Sequence, residues 1–318
     1  MINRSSYFII GIIIFHLQAY SQRNQQQEIL IKESVANFNA NRYKEALISF
    51  DNLIGLDSAD YVSWAFRGRT LHLLKRDEEA FTSFNKALSI NTKYYEAYGY
   101  RAALYSLHEH PEIALRDINM ALSGNAYDTT LLQLRAGFFL KTNKFDSAII
   151  DCNYLIKLNP KSAQTLYQRG IAFRQMGHIE KALNDFNSAI EIDPNDPKKH
   201  NDRGFLLMAQ EKYDLSILDF TRSIHLAGNG NLTAKAYSYN NRGFCKYKNS
   251  NLREALKDVN YSIQLLPVNS YAYKNRALIY LKMKEKVKAC LDLKASLNLG
   301  FTEKYGNEAL ALQSINCK

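Results

Sequence analysis

His108 and His110, in His-Glu-His-Pro, are the only two histidines close enough to suggest shared chemistry. Zinc needs three or four such ligands, and no further His or Cys accompanies them at ligand spacing. A solvated turn is therefore the expected state, with no metal and no cofactor. His72 falls on an inward-facing helical position and His200 replaces a core aromatic, and neither has a sequence-visible nucleophile or acid to serve. No GxSxG, HExxH, P-loop or GxGxxG is present. Catalytic residues are not expected, and the chain does not read as an enzyme. Cys152 takes a core position, and Cys152 and Cys245 are expected as buried free thiols. In an oxidising compartment the last helix, folding back on its neighbours, allows a Cys290–Cys317 bond.

The charged residues are more regular. Arg67, Arg101, Arg135, Arg169, Arg203, Arg242 and Arg276 each precede a small residue. All but Arg67 are followed sixteen residues later by a carboxylate: Asp117, Asp151, Asp185, Asp219, Asp258 and Asp292, with Ser83 in the first place. Sixteen residues is about one helix, one turn and part of the return helix, so the spacing predicts a ladder of Arg–Asp pairs between packed helices. An anion-binding stripe is the rival reading. Partly buried guanidinium groups are more often matched by carboxylates for structural reasons.

Those pairs require elements that repeat with them. The stretch 166–194 reads Leu166, Gly170, Phe173, Gly177, Ala182, Phe186, Ala189, Pro194: two short antiparallel helices and a stop. Steps of 34 residues from Gly170 land on Ala136, Ala102, Gly68 and Ser34, and forward on Gly204; after a slip of five come Gly243 and Ala277. A second small site recurs as Ala46, Ala80, Ala114, Ala148, Ala182, Ser216, Ala255 and Ala289. Helices joined by a short turn approach closely only where one side of the contact is small. This period and its residue types resemble the tetratricopeptide repeat (TPR) family. The resemblance implies an all-α, right-handed α-solenoid of about eight helix-turn-helix units: 27–60, 61–94, 95–128, 129–162, 163–196, 197–230, 236–269 and 270–303. Residues 304–318 are expected as a capping helix, beginning near Tyr305.

The break in the period, with extra residues 231–235 after Ala-Gly-Asn-Gly, reads as a flexible stretch. It is either a hinge between six repeats and two, or a surface insertion, which loop-closure entropy tolerates well. At the other end, residues 1–21 carry one charge, Arg4, an apolar run and a small-residue cut site. They read as a secretory signal peptide, followed by a polar leader at 22–26. The run is shorter than the roughly 20 residues of a spanning helix, so no membrane span is expected after cleavage. An exported location, secreted or periplasmic, follows as an expectation. The formal charge of +10 falls to +9 with the loss of Arg4. Outside the cell such charge meets envelope polymers, anionic surfaces and acidic protein segments rather than nucleic acid.

In the TPR family the first helices of successive repeats line a concave surface, contacting ligands mainly at places two, five, six, nine, twelve and thirteen. Carried over, those places give Lys32, Arg69, Lys141, Arg174, Lys198, Lys248, Lys274 and Lys282 against Glu28, Glu96 and Asp202, a surplus of +5. From the fifth repeat on they also supply Tyr167, Ile171, Asn201, Phe205, Met208, Tyr237, Asn240, Phe244, Tyr247, Tyr271, Leu278 and Leu281. Arg174 and Tyr247 are expected to be exposed contacts. A basic, partly apolar groove suits an extended or helical peptide with acidic residues. The expected function is a non-enzymatic protein-binding scaffold. The alternatives are a chaperone of the secretory compartment holding unfolded chains, or a cell-wall or glycan binder, suggested by 21 Tyr.

Overall fold

The computed structural model describes residues 25–105, 110–228 and 230–317. The expected signal peptide and His108 lie outside the described residues. Among the described residues there are eighteen helices and no strand. No described helix is long and apolar enough to cross a membrane. The first compact unit ends at Asp151 and the second begins at Cys152, the division falling inside one helix.

The first unit contains α1 (Gln25–Asn39), α2 (Tyr43–Leu56), α3 (Tyr61–Leu73), α4 (Asp77–Ile90), α5 (Tyr95–Tyr105), α6 (Pro111–Gly124), α7 (Thr129–Lys141) and the start of α8 (Phe145–Leu158). The second continues with α9 (Ala163–Gln175), α10 (Ile179–Ile192), α11 (Pro197–Ala209), α12 (Tyr213–Ala227), α13 (Leu232–Lys248), α14 (Leu252–Leu265), α15 (Ser270–Lys282) and α16 (Lys286–Asn298). Two short helices, α17 (Phe301–Tyr305) and α18 (Glu308–Asn316), complete it. Gln25 and Gln26 of the expected leader already belong to α1.

Helices pack in consecutive pairs, and the small residues are what let them. A Cβ placed on Gly170 would lie 2.6 Å from the Phe186 ring, and one on Gly68 2.7 Å from the Phe84 ring. At Gly243 it would meet Val259 at 2.6 Å. Phe84 and Phe186 are thereby sealed into the cores of their pairs, beside Ala80 and Ala182.

The turn inside each pair repeats as well. Asn41, Lys75, Asn143, Gly177, Glu211, Ser250 and Lys284 all have φ between 57° and 78°, the left-handed conformation. Around each, the amide three residues past the helix end bonds five residues back, as in Arg76 N–H to Leu71 O and His178 N–H to Phe173 O, both within 2.9 Å. This closes the orphan carbonyls of a helix C-terminus. The following first helices start on side-chain caps: Asp60, Asp128, Ser162, Asp196 and Asn231 accept from amides of the next turn.

Two expectations are corrected. The extra residues do not form a loop: Leu232 to Lys235 are the first turn of α13, which runs 17 residues against 13 in α11. Asn231 caps that turn through Ala234 N–H at 3.0 Å, and Lys235 Nζ donates to Gly228 O at 2.8 Å. The capping element also starts later than expected, because Gly306, at φ 85°, separates α17 from α18. Cys290 and Cys317 form a disulfide. Cys152 and Cys245 are buried and take part in no disulfide, and burial pushes the Cys245 thiol up to about 12, which keeps it protonated at neutral pH.

Candidate functional site

Each Arg of the regular series lies on a first helix and reaches the second helix of its own pair. In the first unit Arg101 donates Nε and Nη2 to Asp117 at 2.7 and 2.8 Å, and Arg135 does so to Asp151 at 2.8 and 2.7 Å. In the second unit Arg169–Asp185, Arg203–Asp219, Arg242–Asp258 and Arg276–Asp292 repeat this two-pronged geometry at 2.6 to 2.8 Å. A planar guanidinium fork matches a carboxylate in this way and a lysine would not.

A third member went unread in the sequence. The remaining Nη1 of Arg101, Arg135, Arg169, Arg203 and Arg276 donates to Asn85, Asn119, Asn153, Asn187 and Asn260, each sixteen residues earlier. Arg242 uses Thr221 instead. The signal was available: an Asn two residues after the Asp, as in Asp117-Ile-Asn119. It also explains Arg67, which donates to Ser83 at 2.7 Å and to Asp51 at 2.6 Å. There the carboxylate stands in the Asn place and the hydroxyl in the Asp place. Aromatic rings cover the guanidinium groups from another side, Tyr98 under Arg101 and Tyr239 under Arg242 among them.

His200 joins one rung. Its Nδ1 lies 3.3 Å from Asp219 Oδ1, and its Nε2 is 3.0 Å from Pro194 O. Burial raises the Asp219 carboxyl, but the bonds from Arg203 and His200 outweigh it and hold that acid below its ordinary value. His72 Nδ1 pairs with Asp77 at 2.8 Å. Among the described residues no group of three or more His, Cys, Asp or Glu is placed to hold a metal ion.

The other candidates form stripes on first helices. In the second unit these are Tyr167, Ile171 and Arg174 on α9; Lys198, Asn201, Phe205 and Met208 on α11; Tyr237, Asn240, Phe244 and Lys248 on α13; and Tyr271, Lys274, Leu278 and Lys282 on α15. Steps of three and four put each set on one helical face. Neighbouring stripes touch. Tyr167 donates its hydroxyl to Asp202 at 2.6 Å, Ser238 donates to Asn201 at 3.2 Å, and Asn275 donates to Asn240 at 3.0 Å. Burial, then the Asp202 carboxylate, push the Tyr167 phenol well up, so it stays a proton donor. In the first unit Arg69 is enclosed by the rings of Phe38, Phe66 and Tyr100 and donates to the Tyr100 hydroxyl at 3.2 Å.

Four of these placements correct the sequence reading. Arg174 is not an exposed contact: it donates to Asp202 at 3.0 Å with its side chain 22% accessible. Tyr247 is partly buried against the core cluster of Ala255, Val259, Ala272 and Ile279 instead of standing free. Asn240 and Lys274 are each 1% exposed, the first inside an amide network and the second under α18. What remains at the surface is Phe205 at 44% and Tyr237 at 42%, with Lys198, Lys248 and Lys282 exposed on the same stripes.

Models of tetratricopeptide repeats match residues 61–94 and 134–200. The chain is a tetratricopeptide repeat protein. Solved TPR-type structures share its all-α solenoid fold. The Cut9–Hcn1 hetero-tetramer of the APC/C aligns over 92% of this chain with a TM-score of 0.64 at 17% identity. This TPR chain spans 57% of the length of that partner in the alignment. PilF of Pseudomonas aeruginosa aligns over 73% of this chain and 99% of its own, with a TM-score of 0.56 and 17% identity. At such identity the likeness is one of fold. No curated protein matches the sequence.

Proposed function

We propose that this TPR protein is a non-enzymatic scaffold of an exported compartment, and that the stripes of its second unit take a peptide or protein segment with acidic residues. Protein binding is the common use of the repeat. The acidic, partly apolar character of the segment rests on one observation: the large exposed rings on those first helices, Phe205 and Tyr237, share their faces with exposed Lys198 and Lys248. Rings in partial contact with water gain by being covered, while the lysines steer and orient a carboxylate-bearing chain. The ladder arginines are excluded from this role because each already holds a carboxylate or its substitute.

The test is capture from the exported fraction of the native cell with the chain from Gln22 onward, beside the variant Lys198→Glu with Phe205→Ala. One dominant protein, lost in the variant, supports the reading. Broad capture of unfolded chains that the variant retains indicates a holdase, and retention on purified wall polymer indicates a glycan binder; either result replaces it.

A further inference from the structure

Lys274 occupies the stripe of α15 between Tyr271 and Leu278, yet water does not reach it. Its ammonium lies 4.5 Å from the centre of the Tyr271 ring, 5.7 Å from Phe244 and 5.9 Å from Phe301. The one carboxylate bonded to it among the described residues is Glu308, at 3.1 Å, on the first turn of α18. Exposed Lys248 is the like charge nearby. Burial pulls the Lys274 ammonium below its ordinary value and Glu308 partly restores it. An ammonium in such a place needs an anion, because an unpaired buried charge is strongly unfavourable.

The helix that supplies the anion is weakly held. Of its nine residues only Ala309 is fully buried, with Leu312 partly packed; Leu310 is 48% and Ile315 72% exposed. Glu308 itself is 54% exposed on its side chain. Gly300 and Gly306, both at positive φ, precede it. Its firm attachments are at its two ends: the Glu308–Lys274 pair at the first residue, and the Cys317–Cys290 disulfide just after the last. A nine-residue helix is too short to persist alone, so with the covalent link cut only the Glu308 pair and the Ala309 and Leu312 contacts hold it.

We infer that α18 is an exchangeable occupant, in which Glu308 fills a carboxylate site at Lys274 that an acidic segment of a partner takes once the Cys290–Cys317 bond is reduced. This rests on the reading of the second unit as a binder of acidic segments, and adds a gate to it. The reductant is a dithiol. Its two thiols become one disulfide, and Cys290 and Cys317 each regain a hydrogen. The freed site then offers an ammonium ringed by Tyr271, Phe244 and Phe301, a setting for a carboxylate followed by an apolar residue.

The experiment uses the full chain and two probes: acetic anhydride labelling of Lys274 read by peptide mass spectrometry, and binding of a fluorescent octaglutamate peptide. Without reductant, Lys274 resists acetylation and the peptide binds weakly. With dithiothreitol, Lys274 is acetylated and the peptide binds at least tenfold tighter, a gain that Lys274→Met abolishes. Cys317→Ser and Glu308→Gln open the site without reductant, which keeps the test meaningful if Lys274→Met fails to fold. Continued protection of Lys274 after reduction, unchanged peptide affinity, or an equal gain in a folded Lys274→Met chain overturns the inference. A partner captured through Lys198 and Phe205 regardless of reductant leaves the scaffold reading standing and removes the gate.

Discussion

Arg169 shows what a single rung does. Its guanidinium meets Asp185 through two nitrogens, Asn153 through the third, and the Phe173 ring from one side. Three of its five N–H groups are thereby engaged, and its charge is already matched by Asp185. Asp185→Asn removes the charge from a site 5% exposed and leaves the arginine half matched. A loss of about 2 kcal/mol is expected for hydrogen bonds to a charged group, read as a fall in the thermal midpoint of the second unit. An unchanged midpoint with weakened partner binding would reverse the assignment. Asp219 gives the rung a pH dependence. Its carboxyl is held below the ordinary value in the fold, so the stability it adds is present above the unfolded pKa of about 3.9. That stability is lost as pH falls through the lower folded value. Urea midpoints measured from pH 5 down to pH 2 should fall, and the fall should shrink in Asp219→Asn.

At the level of the helix pair, the turn is the place where residue type and conformation part company. Gly177 is suited to its left-handed backbone, and Asn41 and Asn143 tolerate theirs, but Lys75, Glu211, Ser250 and Lys284 adopt the same conformation. An L side chain there is disfavoured by roughly 1 kcal/mol. Glu211, at φ 58°, is the clearest case for relief: Glu211→Gly should raise the melting temperature of the chain, by a stabilisation of at most about 1 kcal/mol. The long helix α13 offers the opposite experiment. Asn231→Ala removes the side chain that accepts from Ala234 N–H and should cost about 1 kcal/mol, appearing as faster amide exchange in residues 232–235. The periodic small residues made these pairs readable, since Gly170 against Phe186 is a contact that any larger residue would block. The turns were legible only where a glycine marked them. Both features recur once per repeat, but only steric closeness constrains residue type strongly.

For the whole molecule, charge is the property that the folding sorts. The chain carries a formal +10, but the ladder arginines, Arg174 and Lys274 are all matched internally. The lysines left exposed, Lys198, Lys248 and Lys282 among them, are those available to the proposed partner. Attraction through solvent-exposed charges is screened over about 8 Å at physiological salt. Affinity for a partner captured by the second unit should therefore fall as sodium chloride rises from 50 to about 500 mM, and the salt slope should flatten in Lys198→Glu with Lys248→Glu. Isothermal titration at several salt concentrations measures both. A salt-independent affinity would place the binding energy on Phe205 and Tyr237 alone.

The sequence by itself determined the helical pairs, their period and the Arg–Asp spacing, because each follows from neighbours within about one repeat. Gly170 must face Phe186, and Arg169 must face Asp185, whatever else the chain does. It did not determine which basic residues remain available. Arg174 and Lys198 both occupy groove places in the repeat, yet Arg174 is bound to Asp202 while Lys198 stands exposed. Lys274 is taken by Glu308, thirty-four residues away on a helix outside the eight repeats. Such partners are chosen by how neighbouring helices and the C-terminal cap come together, and side-chain accessibility is decided only after that packing is complete.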